Sequence, residues 1–149
     1  MNYSSALVQL PLVRESSRQR VRTPEDVYGV CDDLANLAQE AFHVLSLDSK
    51  NGLINRHLVS LGLADAALVH PREVFRAAIG EDGASALLLA HNHPSGDPTP
   101  SAEDLRITRQ LIESGRIVDI KVLDHVVIGR ACDGSPAFIS MRESGLCAF

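Results

Sequence analysis

The sequence of 149 residues is poor in aromatic side chains, with no tryptophan, two tyrosines and four phenylalanines. Proteins that bind single-stranded nucleic acid stack its bases on aromatic residues, so this composition disfavours such a protein. Cationic residues are also in the minority: 14 lysines and arginines against 19 aspartates and glutamates leave a net charge of −5. This balance argues against a surface that holds nucleic acid or anionic lipid by bulk electrostatics.

Cysteine is scarce as well. The three cysteines, Cys31, Cys132 and Cys147, are far apart and form no CxxC pair, which argues against a disulfide framework and against a cysteine zinc knuckle. No run approaches the ~18 apolar residues of a membrane span, and the first residues lack the basic start of a signal peptide. We therefore expect a cytoplasmic protein that does not enter the membrane.

Charge is unevenly distributed along the chain. Residues 1–22 carry four arginines and one glutamate, a net charge of +3, and the remaining 127 residues carry −8. We expect residues 1–22 to be a basic, flexible N-terminal arm, with contact to a partner or to nucleic acid as the alternative. Residues 23–149 have the length of one domain, since domains usually run to roughly 100–200 residues.

The first half of this domain predicts helices and a β-hairpin. Thr23 and the proline after it favour a helix start, and apolar residues at helical spacing extend this helix to Ala38. The runs EAFHVLSLD and LINRHLVSLGL flank a polar turn at residues 48–52, which indicates two paired strands. A further helix begins at Pro71.

The second half predicts a central strand, a loop and a helix. The most apolar stretch, SALLLAHNH, is followed by a proline-rich loop at residues 94–100. Ser101 then begins a helix that we expect to end at Gly115, and two or three short strands complete the chain. Helices interleaved with strands and a hairpin predict an α/β sandwich whose sheet is mixed rather than purely parallel.

Polar side chains follow the central strand. His91 and His93 are two residues apart, so an extended strand points both imidazoles to the same face. Asp104 lies in the first turn of the next helix, across a loop long enough to bring its carboxylate beside them. Two imidazoles, a carboxylate and an open fourth position form the donor set of a catalytic zinc site. Glu40 is then the candidate base for the attacking water, and the Ser101 hydroxyl is the candidate oxyanion donor.

The same residues also have purely structural interpretations. Paired histidines are often no more than the polar end of a strand. Ser101 and Asp104 have the spacing of a helix capping box, which requires no metal. Glu40 lies at a helix-to-strand junction, where a surface carboxylate is common. The residues alone leave both interpretations open.

A family resemblance favours the metal site. The stretch HNHPSGDPTPSAEDLRITRQL resembles the signature of the JAMM (MPN-type) metalloproteases, in which a glutamate is followed by HxHP, a loop and S-x-x-D. Within that superfamily the chain is similar to the RadC-like proteins through QEAFHVLSLDSKNGLI, VHPREVFRAA and LDHVVIGR, over about residues 24–142. The resemblance implies a JAMM/MPN-like twisted mixed sheet flanked by helices. It also implies Zn²⁺ ligands at His91, His93 and Asp104, a general acid/base at Glu40, and an oxyanion- or water-orienting hydroxyl at Ser101.

The resemblance implies a zinc-dependent metallopeptidase that hydrolyses a peptide or isopeptide bond in a protein or peptide substrate. RadC-like proteins were named for DNA repair, so a metal-dependent nuclease serving repair or a mobile element is one alternative. The acidic charge does not support an association with DNA. The triplet His91-Asn92-His93 is also not an HNH nuclease site, because that site spreads its residues over a hairpin and a helix. A non-catalytic MPN binding module is the other alternative.

The length resembles short, stand-alone forms that lack the helix-hairpin-helix region of larger relatives, and the sequence does not predict an oligomeric state. The other histidines are expected to have structural roles. His43 and His57 lie in predicted strands as packed or edge residues, and His70 is expected to help cap the helix at Pro71. The pair Asp124-His125 is expected at the start of a strand, where it either supports a metal ligand or is purely structural; the second interpretation is favoured.

Overall fold

The computed structural model describes residues 17–62, 69–132 and 134–149. Its helices are α1 (Pro24–Cys31), continued by a 3-10 turn at Asp32–Asn36, then α2 (Pro71–Ala77), continued by a π-helical turn at Ala78–Asp82, and α3 (Ala102–Val118). Its strands are β1 (Ala41–Leu47), β2 (Leu53–Leu61), β3 (Ala86–Asn92), β4 (Lys121–Ile128) and β5 (Phe138–Ser140). None of the helices in the described ranges has the length and apolarity needed to span a bilayer.

The strands form one mixed sheet in the order β2-β1-β3-β4-β5. Only the pair β3–β4 is parallel, with α3 as the connection between them, and the other three pairs are antiparallel. Helix α1 packs with Leu45 and Leu88 in one apolar cluster. Helices α2 and α3 pack with Val44 and Leu89, the alternate residues of the same strands, in the other. The predicted α/β fold, a mixed sheet flanked by helices, is confirmed.

The central position of β3 follows from its composition. All seven of its residues are buried, because helices cover both faces of the sheet at this point and hydrogen-bonded neighbours lie on either side. The strand ends at Asn92, so His93 and the loop after it lie at the carboxyl edge of the sheet. This edge is where the residues of the candidate site meet.

Helix α3 differs from the prediction at its C-terminus. It passes through Gly115 and ends at Val118, with Asp119 in the left-handed conformation at φ 57°. Gly115 has a packing role instead: a Cβ at this position would lie 2.5 Å from the carbonyl oxygen of Ile120. The glycine therefore lets α3 approach the chain that enters β4, and the prediction that it ends the helix is wrong.

The start of the chain also differs from the prediction where it is described. Residues 1–16 of the predicted arm lie outside the described residues. Residues 17–22 lie alongside the β1–β2 turn and form a β-bridge to it between Arg20 and Gly52. The main-chain N–H of Leu53 donates to the carbonyl of Gln19 (2.8 Å), and that of Val21 donates to the carbonyl of Asn51 (2.9 Å). Val21 is 1% exposed and belongs to the core on the α1 face. This part is held by the hairpin rather than flexible, while the division of the chain at residue 22 stays a prediction.

Candidate metal centre

Four acidic and histidine side chains meet at the carboxyl end of β3. Glu40 immediately precedes β1, His91 lies in β3, His93 follows that strand, and Asp104 is in the first turn of α3. One ligand atom from each lies within 4.8 Å of the others. The antiparallel pairing of Phe42 with His91 explains how Glu40, two residues earlier in the chain, reaches the same edge.

The ligand atoms are close to one another. Nε2 of His91 lies 3.1 Å from Nε2 of His93, 3.3 Å from Oδ1 of Asp104 and 3.6 Å from Oε1 of Glu40. Nε2 of His93 lies 3.1 Å from Oδ2 of Asp104. The sequence prediction that these four side chains come together is therefore met, although their roles stay predictions.

The loop after β3 orients the second imidazole. Nδ1 of His93 lies 2.9 Å from the carbonyl oxygen of Asp97. A carbonyl can only accept, so Nδ1 carries a hydrogen, and Nε2 is the ring atom that faces the other ligand atoms. A bend of the loop makes this contact possible, with Gly96 at φ 90°, a conformation that glycine adopts without steric cost.

The start of α3 combines a capping box with the acidic ligand. The hydroxyl of Ser101 accepts from the main-chain N–H of Asp104 (3.1 Å), and Oδ2 of Asp104 accepts from the N–H of Ser101 (2.8 Å). The structural interpretation of these two residues is thus present in the fold. It does not replace the other one, because the same carboxylate also contacts His91 and His93.

Burial and charge set the protonation of the acidic groups. Burial raises the pKa of Glu40, and the nearby imidazoles of His91 and His93 oppose this only in part. Burial would also raise the pKa of Asp104, but its hydrogen bonds with the two imidazoles and with the main chain of Ser101 hold it well below its usual range. Asp104 is therefore an anion, and Glu40 is a more basic carboxylate than an exposed glutamate.

These groups suit a bound cation. Nε2 of each imidazole and the Asp104 carboxylate lie within hydrogen-bond distance of one another, and a cation between them would replace the hydrogens that they share. Nitrogen and oxygen donors in this number are the ligands of catalytic zinc sites. The described residues therefore contain one group that can hold a metal ion.

Sequence reasoning missed the residue that holds Glu40 in place. The side chain of Asn92, 1% exposed, accepts from the main-chain N–H of Ala41 (2.7 Å) and donates to the carbonyl of Gln39 (3.0 Å). It therefore fixes the peptide groups on both sides of Glu40. The sequence does show an amide, Asn92, at the end of its most apolar strand, and this predicts a buried hydrogen-bonding role. It does not show which segment that amide would bind.

His125 contacts one of the four clustered side chains, and the favoured structural interpretation of the pair Asp124-His125 stays a prediction. His125 lies inside β4, not at its start, and its Nε2 is 2.7 Å from Nδ1 of His91. Its Nδ1 is 2.6 Å from the hydroxyl of Thr108 on α3. Burial lowers the pKa of His125 well below its usual value, so the ring is neutral. Asp124 differs from its neighbour: it accepts from the Ser140 hydroxyl and thereby joins β4 to β5.

The other histidines lie outside the centre. His43 on β1 accepts a hydrogen bond from Nε of Arg56 (3.1 Å), and His57 on β2 pairs with Asp82 (2.7 Å). His70 occupies the N-cap position of α2, but its side chain makes no capping hydrogen bond. The predicted capping by His70 is therefore wrong, whereas His43 and His57 are strand residues with partners of their own.

Comparisons with known proteins agree with this geometry. The family model of the RadC-like JAB domain matches residues 21–146. A UPF0758 protein of Listeria monocytogenes is 47% identical over 138 residues, which cover 92% of this chain and 59% of that protein. A UPF0758 protein of Desulforamulus reducens is 45% identical over 93% of this chain and 59% of its own length. One of Symbiobacterium thermophilum is 52% identical over 76% and 46%, respectively.

This chain thus spans no more than about three fifths of the length of these curated relatives. The identities nevertheless extend over most of the chain, and the family model covers the whole of the sheet and the four clustered side chains. The chain belongs to the RadC-like JAB domain family.

Proposed function

We propose that this domain is a zinc-dependent metallohydrolase that cleaves a peptide or isopeptide bond. The observation that carries the proposal is the convergence of Glu40, His91, His93 and Asp104 within 4.8 Å. His91, His93 and Asp104 would hold the ion, which is the usual set of three protein ligands in a catalytic zinc site. Glu40 is then a further carboxylate beside the ligands, and a purely structural site has no need of it.

A zinc ion held by His91, His93 and Asp104 would lower the pKa of a bound water toward neutrality and polarise a substrate carbonyl. Glu40 would accept a proton from the attacking water, since its carboxylate lies beside the residues that would hold the ion. The water oxygen bonds to the carbonyl carbon, the C–N bond then breaks, and Glu40 returns the proton to the leaving amine. Asn92 keeps Glu40 at the edge of the site through its two main-chain hydrogen bonds.

Ser101 has the second catalytic role in this proposal. Its hydroxyl oxygen accepts from the N–H of Asp104, which fixes the oxygen beside the centre without using its hydrogen. That hydrogen is available for the negative charge that develops on the carbonyl oxygen. The position of Ser101, three residues before Asp104, would thus serve two roles: it caps α3, and its hydroxyl would donate to the substrate oxygen.

The test compares the zinc-loaded wild-type chain with Glu40→Gln on peptide, isopeptide-linked and DNA substrates. We expect the wild type to cleave a peptide or isopeptide bond, and the variant to keep its zinc but lose about 10²–10⁴-fold in rate, the usual contribution of a general base. Ser114→Ala, on α3 ten residues beyond Asp104, is the matched control and should keep full activity. An equal rate in wild type and Glu40→Gln, or DNA cleavage that this substitution abolishes, would contradict the proposal.

A further inference from the structure

We propose that Thr108 and His125 are positioning residues, which hold a hydrogen on Nδ1 of His91 and thereby present its Nε2 to the metal ion. The inference rests on the metal centre of the proposed function and names the residues that prepare it. Both residues act through His91. His125 contacts Nδ1 of that ring, on the side away from the clustered ligand atoms, and Thr108 contacts His125.

A continuous chain of hydrogen bonds connects α3 to the metal centre. The hydroxyl oxygen of Thr108 lies 2.6 Å from the carbonyl oxygen of Asp104 and 2.6 Å from Nδ1 of His125. Nε2 of His125 lies 2.7 Å from Nδ1 of His91. Thr108 and His125 are 0% exposed and His91 is 1% exposed, so each hydrogen in this chain must find its acceptor within the protein.

The first hydrogen is fixed by the main chain. The Thr108 hydroxyl has one hydrogen, and the Asp104 carbonyl oxygen can only accept. If the hydroxyl donated to His125 instead, two acceptor oxygens would face each other at 2.6 Å, which is repulsive. The sulfur of Met141, 3.4 Å away, is a weak acceptor and does not compete. The hydroxyl therefore donates to the carbonyl and accepts from His125.

The remaining hydrogens follow from the first. His125 donates from Nδ1 to Thr108, and as a fully buried neutral ring it has no second hydrogen. Its Nε2 is therefore an acceptor and receives Nδ1–H of His91. Nδ1 of His91 therefore carries a hydrogen, and Nε2 is the atom that His91 presents to the centre, 3.3 Å from the Asp104 carboxylate and 3.1 Å from Nε2 of His93.

Packing prevents the rings from escaping this arrangement. Phe42 stacks on His91 with an interplanar angle of 13° and meets His125 edge-on at 71°. The two histidine ligands thus reach the same tautomer by different means. His93 needs only the carbonyl of Asp97, whereas His91 faces another imidazole, which can donate or accept, and depends on Thr108 to decide.

The experiment measures tautomers and zinc affinity in the full chain. Histidine ¹⁵N NMR of the metal-free wild type should show the hydrogen on Nδ1 in both His91 and His125. Thr108→Val removes the acceptor of His125, so we expect His125 to move its hydrogen to Nε2 and His91 to follow. Chelator competition should then show zinc binding weakened about 10–100-fold, the usual effect of losing a partner of a metal ligand.

Two matched variants separate this role from simple packing. Thr108→Ser keeps the hydroxyl and should restore the wild-type tautomers and zinc affinity. Ser114→Ala removes another hydroxyl of α3 that donates to the carbonyl four residues earlier (2.8 Å), and should change neither. Circular dichroism checks that each variant folds, and the wild-type tautomers test the inference even where a variant does not.

The outcomes distinguish this inference from the proposed function. A metal-free wild type in which Nδ1 of His91 carries no hydrogen would overturn the inference, whatever the activity. So would a folded Thr108→Val that binds zinc as tightly as the wild type. The stated tautomers in a wild-type protein that binds zinc but hydrolyses no substrate would support the inference and count against the proposed function.

Discussion

Two regions of this molecule combine histidines with carboxylates, and they do so in opposite ways. At the metal centre, ligand atoms from four side chains face one another within 4.8 Å. On the β1–β2 hairpin, by contrast, His57 binds Asp82, and Asn55 donates to the other oxygen of the same carboxylate. Each hairpin histidine has its own hydrogen-bond partner, whereas the histidines of the centre direct their Nε2 atoms at the same place.

The difference also concerns positive charge. His43 lies beside Arg56, whose guanidinium forms a bidentate pair with the carboxylate of Asp33. The hairpin thus contains its own cation. At the centre, the groups that contact the Asp104 carboxylate are two imidazoles and a main-chain N–H. Four converging ligand atoms, none of them from lysine or arginine, therefore mark the candidate metal centre better than the number of histidines does.

The largest expected effect tests this comparison directly. Asp104→Ala removes a proposed zinc ligand, whereas His57→Ala removes a histidine whose partner lies outside the centre. Loss of a ligand's supporting partner alone costs 10–100-fold in metal affinity, so we expect Asp104→Ala to weaken zinc binding by about 100-fold or more. Metal analysis after gel filtration should find one zinc per chain in the wild type and in His57→Ala. Zinc retained by Asp104→Ala would remove the distinction between the regions.

Metal removal should also affect the two regions differently. An ion that binds only the folded state stabilises it by about 2.7 kcal/mol at a free concentration of 100 times its Kd. We expect this zinc-dependent gain, measured by urea unfolding, in the wild type and in His57→Ala. Asp104→Ala, with its weaker zinc binding, should gain less than about 0.5 kcal/mol at the same zinc concentration. A gain that His57→Ala abolishes would place the ion in the hairpin.

The sequence predicted the centre better than its support. The spacing of His91, His93 and Asp104 encodes their convergence, because a strand end and a helix start fix the directions of these side chains locally. The partners of His125 and Asn92 depend on which segments lie beside them. His125 contacts β3 and α3, and Asn92 contacts the start of β1. Such neighbours are set by the sheet order, which no local pattern contains.

The same distinction explains the errors in the fold. Gly115 has the composition of a helix end, but it serves the contact between α3 and the chain entering β4, a tertiary approach that sequence spacing does not show. Residues 17–22 have the composition of a solvated arm, yet Val21 finds a place in the core because the β1–β2 turn offers main-chain partners. The mixed sheet was predictable, since it follows from the alternation of apolar runs and turns.

A smaller effect concerns the support of Glu40. Asn92→Ala leaves the N–H of Ala41 and the carbonyl of Gln39 without their buried partner, and such losses cost about 1–3 kcal/mol. We expect a loss of about 2 kcal/mol in unfolding free energy and a lower kcat, with zinc content unchanged because Asn92 is not among the ligands.

Asn55→Ala, which removes an amide from the hairpin region, is the control for Asn92→Ala. Its partner Asp82 retains the bond to His57, so it should leave kcat unaltered. If the two variants lowered kcat equally, the hydrogen bonds of Asn92 on either side of Glu40 would have no specific role in catalysis.

The smallest effect separates the regions by their response to protons. Burial lowers the pKa of His43 to about 4, and the charge of Arg56 adds to the effect, against about 6.5 in the unfolded chain. Between these values the unfolded chain binds the proton and the folded chain does not, so the free energy of unfolding falls as the pH falls from 6.5 to about 4. His43→Gln keeps an acceptor for Arg56 but does not titrate.

The measurement is therefore the difference in unfolding free energy between wild type and His43→Gln across this pH range, at one fixed zinc concentration. Protonation of the metal centre occurs in both proteins and cancels in the difference. We expect the wild type to lose on the order of 1 kcal/mol relative to the variant by pH 4, a reduced value because His43 is only half-buried and solvent screens its charge. If this difference in unfolding free energy did not change with pH, His43 would accept a proton in the folded chain as readily as in the unfolded one. The hydrogen bond between His43 and Arg56 would then not distinguish the hairpin from the centre.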